Sequence, residues 1–299
     1  MHFWLEYLPV WLIAQTLRWL PRPLARACGR TIAILFYWLH PRLRRVGLRN
    51  LALAFPEKSP AEREHILKGV YFSLGRLLAE IPKFPDYTLE NVDRIAVYDG
   101  LENYLAARDR GKGVLFMTAH LGGWEIGSFV HSMHGHWLNI VVRDLDNPLL
   151  NRWVKQMREL HGNKTHDKDE YARGLLIAMK RGETVGALMD TNMTPPQGVF
   201  VNYFGVPACT AVGIARVAMR TDAAVVPAFT IWDEALGKYR IRFEPAIPTV
   251  STGDSEADAI ANTQNYTAAI EKIVREHPDQ WLWVHRRWKT RPEGEPSLY

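Results

Sequence analysis

Four short apolar runs, "GVLFMTA" (113–119), "LNIVVR" (138–143), "TVGALMD" (184–190) and "AAVVPAFTI" (223–231), most constrain what this chain can fold into. Each is too short for a helix and too uniformly apolar for a strand with one wet face, so each reads as a strand buried on both sides. The segments between them have helical periodicity. "DNPLLNRWVKQMREL" places Asn147 as N-cap, Pro148 at the first helical position, and Leu149, Leu150, Trp153, Val154, Met157 and Leu160 on one face. Further helices are expected near 169–181, 210–220 and 256–276. "KYRIRFEPA" alternates with period two and reads as an edge-like strand. Strands alternating with helices from about residue 94 onward predict an α/β fold, a mostly parallel central sheet flanked by helices.

Ahead of this region, "SPAEREHILKGVYFSLGRLLAEI" predicts a helix from Pro60. Ser59 and Glu62 form its capping box, and Ile66, Leu67, Val70, Tyr71, Leu74, Leu77 and Leu78 form its core stripe. The loop "TNMTPPQGVFVNYFG" carries Pro195, Pro196 and Gly198, which forbid regular helix. No internal repeat or low-complexity linker interrupts the chain. Its 47% apolar content supplies a substantial core and excludes disorder.

The N-terminal region differs in composition. Eight arginines (18, 22, 26, 30, 42, 44, 45 and 49) and no acid lie between Arg18 and Arg49, beside the apolar segments "FWLEYLPVWLIAQTLRWL" and "TIAILFYWL". The first segment approaches the length that crosses a bilayer, but Glu6, Pro9, Gln15 and Arg18 weaken it as a span; no removable signal peptide is expected. Aromatic, aliphatic and basic residues together point to a helix that spans or lies in a membrane, its arginines on an anionic membrane surface. Residues 1–45 are therefore read as a membrane-anchoring region and 46–299 as the main domain. The net charge of +5 suits anionic partners, and the absence of a nucleic-acid motif argues against nucleic acid. Cys28 and Cys209 form no CxxC pair and fit a reducing compartment.

The chemistry concentrates in "TAHLGGWEIG" (118–127), at the end of the first apolar run. The C-terminal end of a buried strand is where open α/β sheets bind ligands. His120 there can take a proton from a hydroxyl and return it, and a carboxylate that fixes its tautomer makes it a better base. Glu125 suits that role if the backbone folds back. Gly122 and Gly123 permit such a turn and offer bare amides to a developing oxyanion. A metal would need a third ligand. His131, His134 and His136 are the candidates, but HxxxxE is not a zinc motif, and these histidines read as helix-end and loop residues.

"TAHLGGWE" resembles the HX4[D/E] block of glycerolipid and lipid A acyltransferases. "RNLALAFPEKSPAER", "VVRDLDNPLLNRW", "LMDTNMTPPQGVFVNYFG" and "HPDQWLWVHRRWKTRPE" resemble, in order, the late acyltransferases of lipid A biosynthesis, the lauroyl/myristoyl transferase type. The resemblance covers most of the chain. It implies a glycerolipid-acyltransferase-like fold at the cytoplasmic face of the bacterial inner membrane. It also implies transfer of a fatty acyl group from acyl carrier protein or acyl-CoA to a hydroxyl of a membrane glycolipid, a lipid A precursor. A lysophospholipid or another bacterial glycolipid is the alternative acceptor. His120 would be the base and Glu125 its partner, with no covalent acyl-enzyme, metal or cofactor. Arg143, Asp190 and Asn192 would help form the substrate site. From the residues alone, Arg143 also fits a local pair with Asp144 or Asp146 and Asp190 a strand-end cap, while the "WLWVHRRW" aromatics read as core.

Overall fold

The computed structural model describes residues 2–167 and 171–299. The central sheet runs, edge to edge, β1 (Ala96–Asp99), β9 (Lys238–Phe243), β8 (Ala224–Asp233), β2 (Val114–Thr118), β5 (Thr184–Leu188), β3 (Asn139–Val142) and β4 (Lys164–Asp167). Every neighbouring pair is parallel except β8 and β9. β2 shows why its sequence is uniformly apolar. Leu115 and Met117 enter the core on one face of the sheet, and Val114 and Phe116 enter the core on the other.

The expected elements appear, with informative differences. Lys238–Phe243 alternates as expected, with Tyr239, Ile241 and Phe243 buried, but it is not an edge. The four-residue strand β1, too short to carry a period, covers its outer side. β4 is likewise illegible in the sequence, since "KTHD" has no apolar run. The stretch expected to be loop contains an antiparallel hairpin, β6 (Gly198–Tyr203) and β7 (Val206–Ala211). Its turn residues, Phe204 and Gly205, both have positive φ (56° and 77°), as a two-residue hairpin turn requires. The helix expected at 169–181 is α8 (Tyr171–Lys180), and its first expected residues lie partly outside those described. α9 (Gly213–Thr221) and α10 (Ser255–Glu276) follow the expected positions.

The N-terminal third is helical: α1 (His2–Trp19), α2 (Arg22–Leu39), α3 (Pro41–Ala54) and α4 (Pro60–Glu80). The Ser59–Glu62 capping box starts α4, and Ile66, Leu67, Val70, Tyr71 and Leu77 are buried from its stripe. α2 lies directly on α4. A Cβ at Gly29 would collide with Gly75 O, and one at Gly75 would come 2.6 Å from Gly29 O, so the two backbones touch where both lack side chains. Polar ties also hold these helices to the body. The wholly buried Glu80 carboxylate accepts from Arg22 Nε (2.8 Å), Arg26 Nε (3.0 Å) and Tyr87 OH (2.6 Å). Lys83 Nζ donates to the Arg18 and Leu20 carbonyls at the end of α1, and Arg18 pairs with Asp86.

These contacts correct the expectation that the arginines as a group face anionic headgroups, because Arg18, Arg22 and Arg26 are internal ties. Arg42, Arg45 and Arg49, spaced three and four residues apart on α3, remain exposed. Among the described residues, no helix is long and apolar enough to cross a membrane, so a spanning anchor is not supported. Most of the exposed large apolar side chains among the described residues nevertheless lie between Phe3 and Leu39.

Candidate active site

β2 and β5 are adjacent and parallel, with Thr118 opposite Leu188. Two residues beyond this register on each chain stand His120 and Asp190. The strand ends therefore deliver them side by side. His120 Nδ1 lies 2.9 Å from Asp190 Oδ1, and the His120 backbone N–H donates to Oδ2 at 2.8 Å. The buried Trp281 adds an indole N–H to Oδ2 at 2.7 Å. With Nδ1 donating to a carboxylate, Nε2 carries the lone pair.

Burial pulls the His120 pKa down, but the Asp190 charge and hydrogen bond outweigh it and leave the value raised. Burial pushes Asp190 up, and the His120 charge and the three hydrogen bonds outweigh that, so its carboxyl sits below the ordinary range. Each group favours the charged form of the other. The Trp124 ring meets the imidazole edge-on, 5.3 Å between centroids.

Glu125, expected to orient His120, does not occupy that position. α6 begins at Trp124, which puts Glu125 in the first turn of a helix (Trp124–Met133). There it accepts a two-pronged bond from Arg158, with Nε to Oε2 at 2.9 Å and Nη2 to Oε1 at 2.5 Å. Arg158 ends α7 (Pro148–Arg158), which Asn147 caps by accepting from the Leu149 and Leu150 amides. Both charges act on His120, Glu125 raising its pKa and Arg158 lowering it, so the pair borders the imidazole with opposing effects. Sequence reasoning misses Arg158, although a signal exists. Arg158 follows Leu150 and Val154 at four-residue intervals, which sets a cation on the apolar side of α7.

The glycines also differ from expectation. The Gly122 amide donates to Gln280 O (2.9 Å) and the Gly123 amide to Thr230 O (2.8 Å), so both are occupied and neither faces an oxyanion. Their lack of side chains serves packing instead. A Cβ at Gly122, where φ is +57°, would collide with Thr230 O, and one at Gly123 would meet the Tyr239 ring at 2.6 Å. Arg143 directly follows β3 but points to solvent, with a side chain 74% exposed and Asp146 at 3.9 Å. Asn192 is engaged with the C-terminal segment. Its backbone N–H donates to His285 Nε2, and its amide exchanges two bonds with Thr290.

Among the described residues, no group of three or more His, Cys, Asp or Glu side chains could hold a metal. His131 is a core residue against Tyr98, held neutral by burial with its pKa pushed down to about 3. Trp281, Trp283 and Trp288 are buried in the core, and the Arg287 guanidinium holds the Cys209 carbonyl and the Thr210 hydroxyl.

A histidine–carboxylate pair at the mouth of a parallel sheet suits proton transfer to and from a hydroxyl. The model of the bacterial lipid A biosynthesis acyltransferases matches residues 2–290. The chain belongs to that family. It is an acyltransferase. The lauroyltransferase of lipid A biosynthesis from Escherichia coli K12 is 30% identical over 99% of this chain and 95% of its own length. The palmitoleoyltransferase of the same organism is 28% identical over the same shares, and its myristoyltransferase is 26% identical over 86% and 78%. The family match thus spans both the N-terminal helices and the sheet.

Proposed function

We propose that this acyltransferase moves a fatty acyl group from an acyl thioester, carried by acyl carrier protein, to a hydroxyl of a lipid A precursor at the cytoplasmic face of the bacterial inner membrane. The observation that carries the chemistry is the buried Asp190 carboxylate on His120 Nδ1, which leaves Nε2 as the base. His120 Nε2 takes the acceptor hydroxyl proton as the oxygen attacks the thioester carbonyl. Asp190 stabilises the imidazolium that forms. The tetrahedral intermediate expels the thiolate, which takes from His120 the proton that came from the acceptor hydroxyl, so the enzyme ends unchanged without an acyl-enzyme. Arg158, paired with Glu125 and acting on His120 through its charge, would stabilise the developing oxyanion, a role for which the occupied Gly122 and Gly123 amides are not free.

The apolar surface of α1 and the C-terminal half of α2 would rest in the membrane interface, with Arg42, Arg45 and Arg49 on anionic headgroups. The lipid acceptor would then reach the site without leaving the bilayer.

An acceptor panel tests this reading. Detergent-purified protein and labelled acyl carrier protein or coenzyme A thioesters are offered underacylated lipid A precursor, lysophospholipid, another bacterial glycolipid or no acceptor, each with His120→Ala as control. Histidine-dependent product on the lipid A precursor alone is expected. Product only on another lipid would refute the acceptor, and free fatty acid without acceptor dependence would refute acyl transfer to a lipid.

A further inference from the structure

Both members of the His120–Asp190 pair are held by one length of chain, Gln280 to Thr290. Leu282 N–H donates to the His120 carbonyl (3.0 Å), Gln280 O accepts from Gly122, and Trp281 binds Asp190. The loop past Asp190 is fixed residue by residue. Arg287 Nη1 reaches the Thr191 carbonyl (3.3 Å), and the Asn192 N–H donates to His285 Nε2 (2.9 Å). His285 is itself pinned, because its carbonyl accepts from Asn50 Nδ2 (2.6 Å) and from the Arg287 N–H (2.9 Å).

A ring nitrogen that accepts from an amide carries no proton, so His285 is neutral with its proton on Nδ1. It is the titratable acceptor in an otherwise non-titrating clamp. On the reading that His120 is the base, we propose that His285 is a positioning residue: its unprotonated Nε2 holds Asn192, and through that loop holds the Asp190 carboxylate against His120. The charged groups acting on it are Asp190, His120 and Arg287, with Arg286 adjacent in the chain and stacked on Tyr299. Burial, His120 and Arg287 favour the neutral ring, and Asp190 opposes them. Protonation would set one N–H against another at Asn192 and add a positive charge beside the pair. The loop would then release, and Asp190 would lose its alignment. The acid limb of activity therefore contains two protonations, one at His120 and one at His285.

Two substitutions of the full chain in detergent separate this role from simple packing. His285→Gln keeps an acceptor at the reach of Nε2; His285→Phe keeps the ring volume without one. The first readout is the His120 titration by NMR, assigned with His120→Gln, which needs no acceptor. Its midpoint should fall toward the ordinary histidine value in His285→Phe and stay raised in His285→Gln. The second is kcat against pH. Wild type should show a two-proton acid limb and His285→Gln a one-proton limb. At the optimum, His285→Phe should lose at least about tenfold in kcat with KM within about twofold, and His285→Gln should restore most of the turnover. Should His285→Phe not fold, the 15N shifts of wild-type His285 still decide, because a protonated Nε2 overturns the proposal. An unchanged His120 midpoint in folded His285→Phe, or a one-proton limb in wild type, also overturns it. Absence of turnover on every acceptor would refute the acyl-transfer reading and leave the NMR outcome to judge His285.

Discussion

Asp190→Asn is the substitution that best tests the histidine–carboxylate pair. Among the described residues, Asp190 Oδ2 accepts from two donors, the His120 N–H and the Trp281 indole, whereas Oδ1 accepts only from the His120 ring. An asparagine must replace one oxygen with an NH2. Placing that NH2 at Oδ2 would oppose two fixed donors. Placing it at Oδ1 opposes one ring nitrogen that can change tautomer. The second arrangement costs less, since each buried unsatisfied donor costs about 1–3 kcal/mol. The protein should therefore fold, with His120 protonated at Nε2 and its lone pair turned toward the introduced side-chain amide. The ring then has no free lone pair for the acceptor hydroxyl. The same inversion in hydrolase triads lowers kcat by about 10^4, so a loss of roughly 10^3–10^4, or ~4–5.5 kcal/mol at about 1.36 kcal/mol per decade, is expected. KM should change little. The assay is steady-state acyl transfer with the melting temperature as a fold control. Removal of the carboxylate charge should also lower the His120 midpoint from its raised position. Turnover above about a tenth of wild type in a folded Asp190→Asn protein would refute the assignment.

Four further outcomes follow from the geometry. Because unprotonated His120 is the active form and its pKa is raised, kcat/KM should fall as pH drops through a value above 6.5, and Asp190→Asn should move that midpoint downward; a pH–rate profile checks both. Arg158→Ala leaves the largely buried Glu125 unpaired and should cost about 3–5 kcal/mol of stability, whereas Arg158→Lys keeps the charge but not the two-pronged bond and should lose turnover more than stability; chemical denaturation beside kinetics separates the two. Gly75→Val drives a side chain into the Gly29 carbonyl and should destabilise by about 2–3 kcal/mol through separation of α2 from α4; an unchanged melting temperature would contradict the backbone contact. Trp4→Asp with Trp11→Asp, both exposed on α1, should leave the fold intact and weaken cosedimentation with anionic vesicles; undiminished binding would remove α1 from the membrane surface.

Elements whose signals are local can be read from the chain alone. The capping box before Pro60, the Asn147 cap before Pro148 and the uniformly apolar strands at 114–118 and 184–188 depend on neighbours a few residues apart, so periodicity and side-chain chemistry are sufficient to find them. His120 is legible for the same reason, as a base at the end of a buried strand. The short strands β1 and β4 and the β6–β7 hairpin are not legible, because their stability comes from partners elsewhere in the sheet or from backbone twist at Phe204 and Gly205. Which carboxylate serves His120 depends on packing across the sheet. Glu125 is five residues away in the chain but lies on a helix that turns it toward Arg158, while Asp190 is seventy residues away but one strand over in parallel register. Sheet order sets that neighbour, and sheet order is a property of the whole core. The arginines of the N-terminal region divide the same way. Their number and the lack of acids are written in the sequence, but Glu80 and Asp86 pair with three of them, and only packing tells those from Arg42, Arg45 and Arg49.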